Sequence, residues 1–235
     1  GAMRFNSDSQ KLEYFNGEIW MQIHTFSPNL DGGVRGLWGG GDTPTIINTI
    51  DYITISTAGN AADFGDLVAV KSNHFCASSR TTVAWAGGYD GPNKTNSIST
   101  QVFSSTGNSV DTADLTASFA SAASVSNGTR ACFIGGSGPS VRNAIEYYTF
   151  AAEANTVDFG DVLANTYTGS GCSSPTRGVF NYGVTSAPAR VNTINYITIA
   201  TLGDSHDFGD LTTNRNGTGA LSNSTRGVWG GGETP

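Results

Sequence analysis

The feature that most constrains the fold of this chain is an internal repeat of about 47 residues. One motif occurs five times, as RGLWGGG (35–41), TVAWAGG (82–88), RACFIGG (130–136), RGVFNYG (177–183) and RGVWGGG (226–232). Its aromatic residue recurs at intervals of 47, 48, 47 and 49 residues, and two further motifs keep the same phase. A repeat of this length predicts one supersecondary unit per copy, each packed on its neighbours.

Each unit is predicted to contain four short strands, A to D. Strand A is a small-residue segment, strand B the aromatic-glycine segment, strand C an alternating segment and strand D the Asp-Phe-Gly-Asp segment. The strand A segments are 74–79, 123–127, 171–174 and 219–223. Apolar side chains on both faces of strand C indicate sheets that pack on both sides. Radial stacking buries both faces, which predicts an all-β fold, a β-propeller of four-stranded antiparallel blades.

The predicted number of blades follows from a count of strands. Strand B occurs five times, but the pair of strands C and D occurs four times, within 48–67, 96–115, 143–162 and 192–211. Residues 11–23 resemble two strands about an Asn16-Gly17 hairpin turn. We therefore predict a five-bladed propeller, in which residues 11–23 supply strands C and D to the blade begun by residues 219–232. The alternative is a piece of a longer repeat array.

The predicted domain organisation is a monomeric β-propeller over residues 4–235. Its repeat units lie at about 24–67, 72–115, 120–162, 169–211 and 219–232, the last completed by 11–23. Residues 1–3 resemble a cloning remnant followed by a start methionine, and the prediction leaves them outside the fold.

Composition narrows the classes of partner. The chain has 12 basic and 19 acidic residues, a net charge of −7, which argues against a nucleic-acid or anionic-lipid partner. The sequence predicts no transmembrane segment and no signal peptide. The three cysteines, Cys76, Cys132 and Cys172, lack the spacing of metal or redox motifs and are predicted to be buried thiols.

Repeated carboxylates raise the question of a metal site. The D-x-x-D pairs are Asp63/Asp66, Asp111/Asp114, Asp158/Asp161 and Asp207/Asp210. An isolated pair supplies too few oxygens for Ca²⁺, so a turn-forming role is favoured over a calcium site. Neither a nucleophile elbow nor a phosphate-binding loop occurs. The sequence therefore predicts no enzymatic activity, no cofactor and no metal.

Recognition is expected in the loops between strands B and C, which differ among the units. Their candidate binding residues are Tyr89, Asp90, Asn93, Lys94, Arg142 and Arg190. The repeated aromatic residues are predicted to pack between blades. The repeated arginines are Arg35, Arg130, Arg177 and Arg226. They allow two interpretations, a set of guanidinium groups that binds an anion in a central channel, or pairs with Asp or backbone carbonyls that join blades.

Two resemblances carry functional implications. The order small-residue strand, Arg, aromatic-Gly-Gly and alternating strand with Tyr resembles the kelch repeat, although kelch repeats carry Trp in strand D, where this chain has Phe64, Phe159 and Phe208. Residues 4–23 resemble the R-[FY]-N-x-x-x-x-x-L-E-x-[YF]-[ND]-G-x-x-W segment of tail-fibre and other virion proteins of tailed bacteriophages.

The second resemblance implies a non-enzymatic module of a phage virion, structural or for host recognition. Its expected partners are a host-surface glycan or protein receptor and other virion proteins. Two alternatives stay open: a kelch-like protein-interaction module, and a multivalent carbohydrate-binding lectin with equivalent sites in successive units.

Overall fold

The computed structural model describes residues 1–6, 11–23, 35–187, 189–223 and 225–235. All regular structure in these ranges is β-strand, in antiparallel sheets, which confirms the predicted all-β class. No helix in the described residues is long and apolar enough to cross a membrane. The chain divides into two compact units, residues 1–30 and 31–235, where the sequence predicted one domain over 4–235.

The N-terminal unit is a meander of three strands, β1 (Met3–Asn6), β2 (Lys11–Phe15) and β3 (Trp20–Gln22). The predicted hairpin turn is confirmed: Gly17 has a φ of 112°, and the Asn16 side chain accepts hydrogen bonds of 2.9 Å from the amides of Glu18 and Ile19. Residues that the prediction left outside the fold take part in it, since the Ala2 carbonyl accepts a 2.8 Å bond from the Phe15 amide.

Strand β2 is paired along both of its edges, with β1 on one side and β3 on the other. In a four-stranded blade, strand C likewise needs two edges, one for strand B and one for strand D. The predicted completion of the last blade by residues 11–23 therefore requires β1 to leave β2. This explains why residues 1–30 form a unit of their own: the sheet already satisfies its central strand.

The second unit contains the repeats. Its strands begin with β4 (Arg35–Gly39), β5 (Asp42–Thr43), β6 (Thr45–Ile46), β7 (Thr49–Thr54) and β8 (Ala62–Asp66). They continue with β9 (Phe75–Ser78), β10 (Thr82–Ala86), β11 (Ser97–Val102), β12 (Val110–Asp114), β13 (Ala123–Ser126), β14 (Arg130–Ile134), β15 (Ala144–Thr149) and β16 (Val157–Asp161). The last are β17 (Thr166–Tyr167), β18 (Gly171–Ser173), β19 (Arg177–Asn181), β20 (Val184–Thr185), β21 (Thr193–Thr198), β22 (His206–Asp210), β23 (Gly219–Ser222) and β24 (Gly227–Gly230).

These strands form five successive sheets in the predicted order A-B-C-D. The first sheet is β4-β7-β8, the second β9 to β12, the third β13 to β16, the fourth β18-β19-β21-β22 and the fifth β23-β24. Two short ribbons, β5-β6 and β17-β20, lie within the loops. Strand A of the first unit would fall among residues 24–34, which lie outside the described residues. The other strands predicted within residues 48–230 are confirmed, whereas the predicted strands C and D of the last repeat, in residues 11–23, belong to the N-terminal unit.

Neighbouring sheets contact one another through their A strands: β9 with β13, β13 with β18, and β18 with β23. A serine recurs at one position of these strands and links them. The Ser126 hydroxyl donates to the Ser78 carbonyl at 2.7 Å, and the Ser222 hydroxyl donates to the Ser173 carbonyl at 2.9 Å. A Cβ atom on Gly171 would lie 2.4 Å from the Ser124 carbonyl oxygen. The small residues of strand A are therefore needed for close packing of backbones.

The repeated aromatic residues of the second, third and fourth sheets pack between sheets. Trp85, Phe133 and Phe180 are 2%, 0% and 0% exposed, as predicted. Trp38 differs, because 58% of it is exposed. In the next unit, Trp85 packs on Gly39 of the preceding sheet, where an added Cβ atom would lie 3.3 Å from its ring. No sheet precedes the first one among the described residues of this unit, so Trp38 lacks an equivalent surface.

Candidate functional site

The B–C loops and the crossovers from strand D to the next strand A lie together. The amides and carbonyls of Ser72 and Tyr89 bond to each other at 3.0 and 2.8 Å, and Ala120 and Ser137 repeat this exchange. Each B–C loop is thus hydrogen-bonded to the crossover that enters or leaves its sheet. We name this surface the loop face; it comprises residues 41–46, 88–95, 137–143, 184–191 and the crossovers.

Two cationic candidates of the loop face join neighbouring repeats. Lys94 donates to the Ser137 hydroxyl at 3.0 Å and to the Gly138 carbonyl at 2.7 Å, in the loop of the next repeat. Arg190 pairs with Glu233 at 2.7 Å and donates to the Asn216 side chain. Because both side chains are engaged with the next repeat, they stabilise the loops relative to one another.

Arg142 is bound within the protein. Its guanidinium lies 4.1 Å from the centre of the Phe119 ring and donates to the carboxylate of Glu146. Glu146 is 2% exposed and also accepts bonds from the Thr116 amide at 3.0 Å, the Thr116 hydroxyl, and the Thr156 hydroxyl at 2.7 Å. Burial alone raises the pKa of Glu146, but the bonds from Thr116, Thr156 and Arg142 outweigh it and hold the pKa below its ordinary value.

Sequence reasoning missed Glu146, although a signal was present. Its position in strand C holds a polar residue in the other units too, Asp51, Ser99 and Asn195. Ser99 and Asn195 are buried as Glu146 is, whereas Asp51 is exposed. In the fourth sheet, the Asn195 amide donates to the Ser205 hydroxyl at 3.1 Å. A carboxylate with four internal donors is held as an acceptor, and this arrangement supports packing rather than proton transfer.

The remaining loop candidates gather at one tip. The Asp90 amide donates to the Asn93 carbonyl at 3.1 Å, and Gly91 between them has a φ of 109°. Asp90 and Asn93 are exposed, and the half-buried Tyr89 ring lies 5.6 Å from the ammonium of Lys94. The structure therefore brings Tyr89, Asp90, Asn93 and Lys94 together, while Arg142 and Arg190 lie in the loops of later repeats.

A buried lysine also went unnoticed in the sequence. Lys71 is 1% exposed, and its ammonium donates to the Ser97 hydroxyl at 2.8 Å and to the carbonyls of Gly87 and Ser97 at 3.3 Å. Burial lowers the pKa of Lys71 to about 8, against opposing effects of Asp111 and Asp90. Nothing in the sequence marks it, since Phe119 and Thr166 occupy the same place in the following crossovers.

Lys71 gives a testable pH dependence. Its folded-state pKa of about 8 lies below the ordinary 10.5, so the unfolded chain binds more protons between these values and stability rises with pH there. In Lys71→Met this contribution is absent. The stability of the wild type relative to the variant should rise between pH 8 and 10 by up to about 1.4 kcal/mol per pH unit. Urea unfolding of the wild type and the variant at pH 8 and pH 10 measures this change. A stability difference that stays constant between these pH values would contradict the lowered pKa of Lys71.

The repeated arginines follow the second of the two interpretations where their partners are described. Arg35 donates to the Phe103 carbonyl at 2.6 Å, and Arg130 donates to the Ile199 carbonyl at 2.8 Å, each in the next sheet. Each also stacks on a tyrosine of its own sheet; for Arg130 and Tyr147 the distance is 4.2 Å. Anion binding by Arg35, Arg130, Arg177 and Arg226 stays a prediction.

Strand D forms the other half of each junction between sheets. The Phe64 carbonyl accepts a 2.7 Å bond from the Gly107 amide, and the Asp66 amide donates to the Asn108 side chain at 3.0 Å. At the third junction the same bonds form at 2.9 Å, from Gly203 to Phe159 and from Asp161 to Asp204. The backbone amides of Asp66, Asp114 and Asp161 thus donate to an Asn or Asp side chain of the next C–D turn. The sequence predicts a turn-forming role for these pairs, whereas the bonds in the structure join one sheet to the next.

The junction after the fourth sheet differs from the others. Phe208 is 52% exposed, whereas the equivalent Phe64 and Phe159 are 2% exposed. Next to it is a cavity of about 470 Å³ between the fourth and fifth sheets. Its lining includes Cys172, Arg177, Phe208, Asn223, Arg226 and Trp229. Because β23 and β24 form a sheet of two strands, no described residue of residues 35–235 fills the space that strands C and D fill at the earlier junctions.

The residues of the N-terminal motif form one network within their own sheet. The Glu13 carboxylate, 4% exposed, accepts bonds from Arg4 at 2.9 Å and Asn6 at 3.0 Å, and the Arg4 guanidinium lies 4.1 Å from the Trp20 ring centre. The bonds from Asn6 and Arg4 lower the pKa of Glu13. With Asn16 and Gly17 in the turn, every specified polar position of the motif has a structural partner or a required backbone conformation.

No described group of three or more His, Cys, Asp or Glu residues is placed to hold a metal ion. All three cysteines are free thiols. Cys132 and Cys172 are buried as predicted, but Cys76 is exposed, because alternate residues of β9 face opposite sides and Cys76 shares its side with Ser78.

The chain matches no protein-family profile and no curated protein.

Proposed function

We propose that this chain is a non-enzymatic β-propeller module of a tailed-bacteriophage particle, which serves host recognition or tail structure. The observation that carries the proposal is the N-terminal segment, in which Arg4, Asn6 and Glu13 of the virion-protein motif contact one another as one network. A sequence match whose residues contact one another is more specific than a match at positions that have no contact. The alternative of a kelch-like interaction module rests on the repeat alone.

The proposed architecture is a five-bladed propeller. Support comes from five sheets in sequence. The A strands of the second to fifth sheets contact in order, and the B strands of the second to fourth sheets carry aromatic residues buried between sheets. A complete fifth blade needs strands C and D beside β24. Residues 11–23 are the donor that the sequence predicts, subject to the release of β1 from β2.

The loop face is proposed as the recognition surface. Lys94 and Arg190 hold its loops to the following repeats, and Asp90 and Asn93 project from one tip beside Tyr89. A surface whose loops are fixed loses little conformational entropy when it binds, which favours a recognition role. Host-surface glycans or proteins are the proposed ligands, and other virion proteins the proposed partners.

A glycan array probed with the intact protein tests recognition. We expect Tyr89→Ala to weaken binding to a recognised host glycan about tenfold, the effect of one aromatic residue at the centre of an interface. Ser104→Ala, at an exposed position of a C–D turn, is the control and should bind as the wild type does. Several equivalent sugar sites per chain would favour the lectin alternative. Silence on the array together with no binding to host cells would contradict recognition at this face.

The virion assignment has its own test. Genes beside the one that encodes this chain should specify baseplate or tail proteins, and the chain should be detected by mass spectrometry in purified particles. Its absence from particles that carry the intact gene would remove the phage proposal and leave the kelch-like alternative.

A further inference from the structure

The cleft between the fourth and fifth sheets has a shape that the other junctions define. At the first and third junctions, the C–D turn of the following sheet lies over the Phe-Gly-Asp segment of strand D. A Cβ atom on Gly65 or Gly160 would lie 2.2 or 2.5 Å from a backbone oxygen of that turn. At Gly209, which has the same backbone conformation, no atom lies within 4 Å. The fourth sheet therefore presents a complete receiving surface with nothing described upon it.

The polar groups of this surface are also set for a partner. At the first and third junctions, the Phe carbonyl and Asp amide of strand D are bonded to the incoming turn. Phe208 and Asp210 are their counterparts in β22. Arg177 stacks on Tyr196 at 4.4 Å, as Arg130 stacks on Tyr147, but it has no carbonyl acceptor among the described residues. Arg177 and Phe208 line the cleft, and Asp210 follows two residues after Phe208 in the same strand.

A free strand edge completes the site. Each of the B strands β4, β10, β14 and β19 pairs with a C strand. Strand β24 pairs with β23 on one edge, and its other edge has no partner among the described residues. Arg226, at the position of Arg177, lies in the wall of the cleft. An unpaired edge beside a pocket is the arrangement that binds extended peptides by strand addition.

We propose that this cleft binds a strand–turn–strand segment whose sequence has the C–D pattern of this repeat. The required features are a tyrosine in the first strand, for Arg226 to stack on, and a Gly-Asn or Gly-Asp turn. The turn glycine donates to the Phe208 carbonyl, and the Asn or Asp side chain accepts from the Asp210 amide. A turn carbonyl accepts from Arg177. The proposal depends neither on the phage assignment nor on the loop face.

Residues 11–23 do not have this pattern in their turn. The turn from β2 to β3 contains four residues, 16–19, whereas the turn from β21 to β22 contains seven, 199–205. The order Asn16-Gly17 is also the reverse of the Gly203-Asp204 order that the junctions use. A donor with the repeat's own turn therefore fits the cleft better than these residues.

Binding of a synthetic peptide to the full-length protein tests the proposal. The peptide with the sequence of residues 192–211 contains the required tyrosine, Gly-Asp turn and strand D. We expect saturable binding in fluorescence anisotropy, a raised melting temperature, and slower hydrogen exchange in residues 227–230. A peptide with Tyr196→Ala and Asp204→Ala should bind about tenfold more weakly or worse, since it loses the arginine stack and the cap of Asp210.

Protein variants locate the site. Gly209→Ala should weaken binding about tenfold or more, because its Cβ atom would meet the incoming turn as a Cβ atom on Gly160 would meet Gly203. Gly128→Ala, at a positive φ in the turn between β13 and β14 with no atom within 4 Å, is the matched control and should bind normally. No saturable binding, or equal binding by Gly209→Ala and the wild type, would overturn the proposal.

Discussion

Replacing Gly160 with alanine should destabilise the protein far more than the same change at Gly209. Both glycines lie in strand D with φ values of 148° and 136°, a region that is costly for any other residue. They differ in their surroundings: a Cβ atom on Gly160 would lie 2.5 Å from the carbonyl carbon and oxygen of Gly203, whereas Gly209 has open space. Both variants carry the cost of an alanine at positive φ. The difference between their unfolding free energies therefore measures the packing of the next sheet's turn on Gly160.

The expected difference in unfolding free energy is about 2–4 kcal/mol, the sum of overpacking and of weakened bonds at Phe159 and Asp161. For a chain of this length, that corresponds to a melting temperature lower by roughly 5–15 °C. Differential scanning calorimetry of the two variants measures it. Equal losses would show that Gly209 is also covered in solution, which would mean that strands C and D of the fifth sheet are in place.

Much of the fold follows from the sequence because the repeat is visible in it. Strands A to D appear where the pattern places them, since alternation, Asn-Gly and Asp-Phe-Gly-Asp are local signals. The reason for the glycine in Asp-Phe-Gly-Asp becomes clear only from the structure, because this glycine leaves room for the C–D turn of the next sheet. In the second sheet Ala113 takes its place, and the turn of the third sheet then has Ala154 where the turns of the second and fourth sheets have Gly107 and Gly203. Contacts between repeats are encoded by pairs about 43 residues apart, which no single segment reveals.

The candidate site was less predictable for a related reason. Loop position identified Tyr89, Asp90, Asn93, Lys94, Arg142 and Arg190 as variable, but variability does not distinguish a ligand-binding side chain from one that joins two repeats. Lys94 and Arg190 bond to residues of the following repeat, and the Arg142 guanidinium pairs with the Glu146 carboxylate. The sequence shows that the last unit lacks strands C and D of its own, but the shape of the cleft is defined only by comparing the fourth junction with the other three in space. An unfilled junction has no signature in the residues that line it.

Glu146→Gln should be the second strongly destabilising substitution. The side chain keeps its shape but loses its charge, so the Arg142 guanidinium, only 16% exposed, is left without its carboxylate. The side-chain nitrogen of the glutamine would also face the Thr116 and Thr156 donors, which in the wild type bond to a carboxylate oxygen. Breaking a buried ion pair by neutralising one partner costs about 3–5 kcal/mol. Urea unfolding at pH 7 should show this loss, and Glu153→Gln, an exposed control, should unfold as the wild type does.

The pH dependence distinguishes a charge effect from a packing defect at Glu146. Its folded-state pKa is held below the ordinary 4.5, so the ionised carboxylate contributes stability that is complete above that value. This contribution is lost as pH falls through the lowered folded pKa, because the proton then binds to the native state as well. The gap between the wild type and Glu146→Gln should therefore be wide at pH 7 and narrow toward pH 3. A gap of constant size down to pH 3 would mean that shape, not charge, carries the role of Glu146.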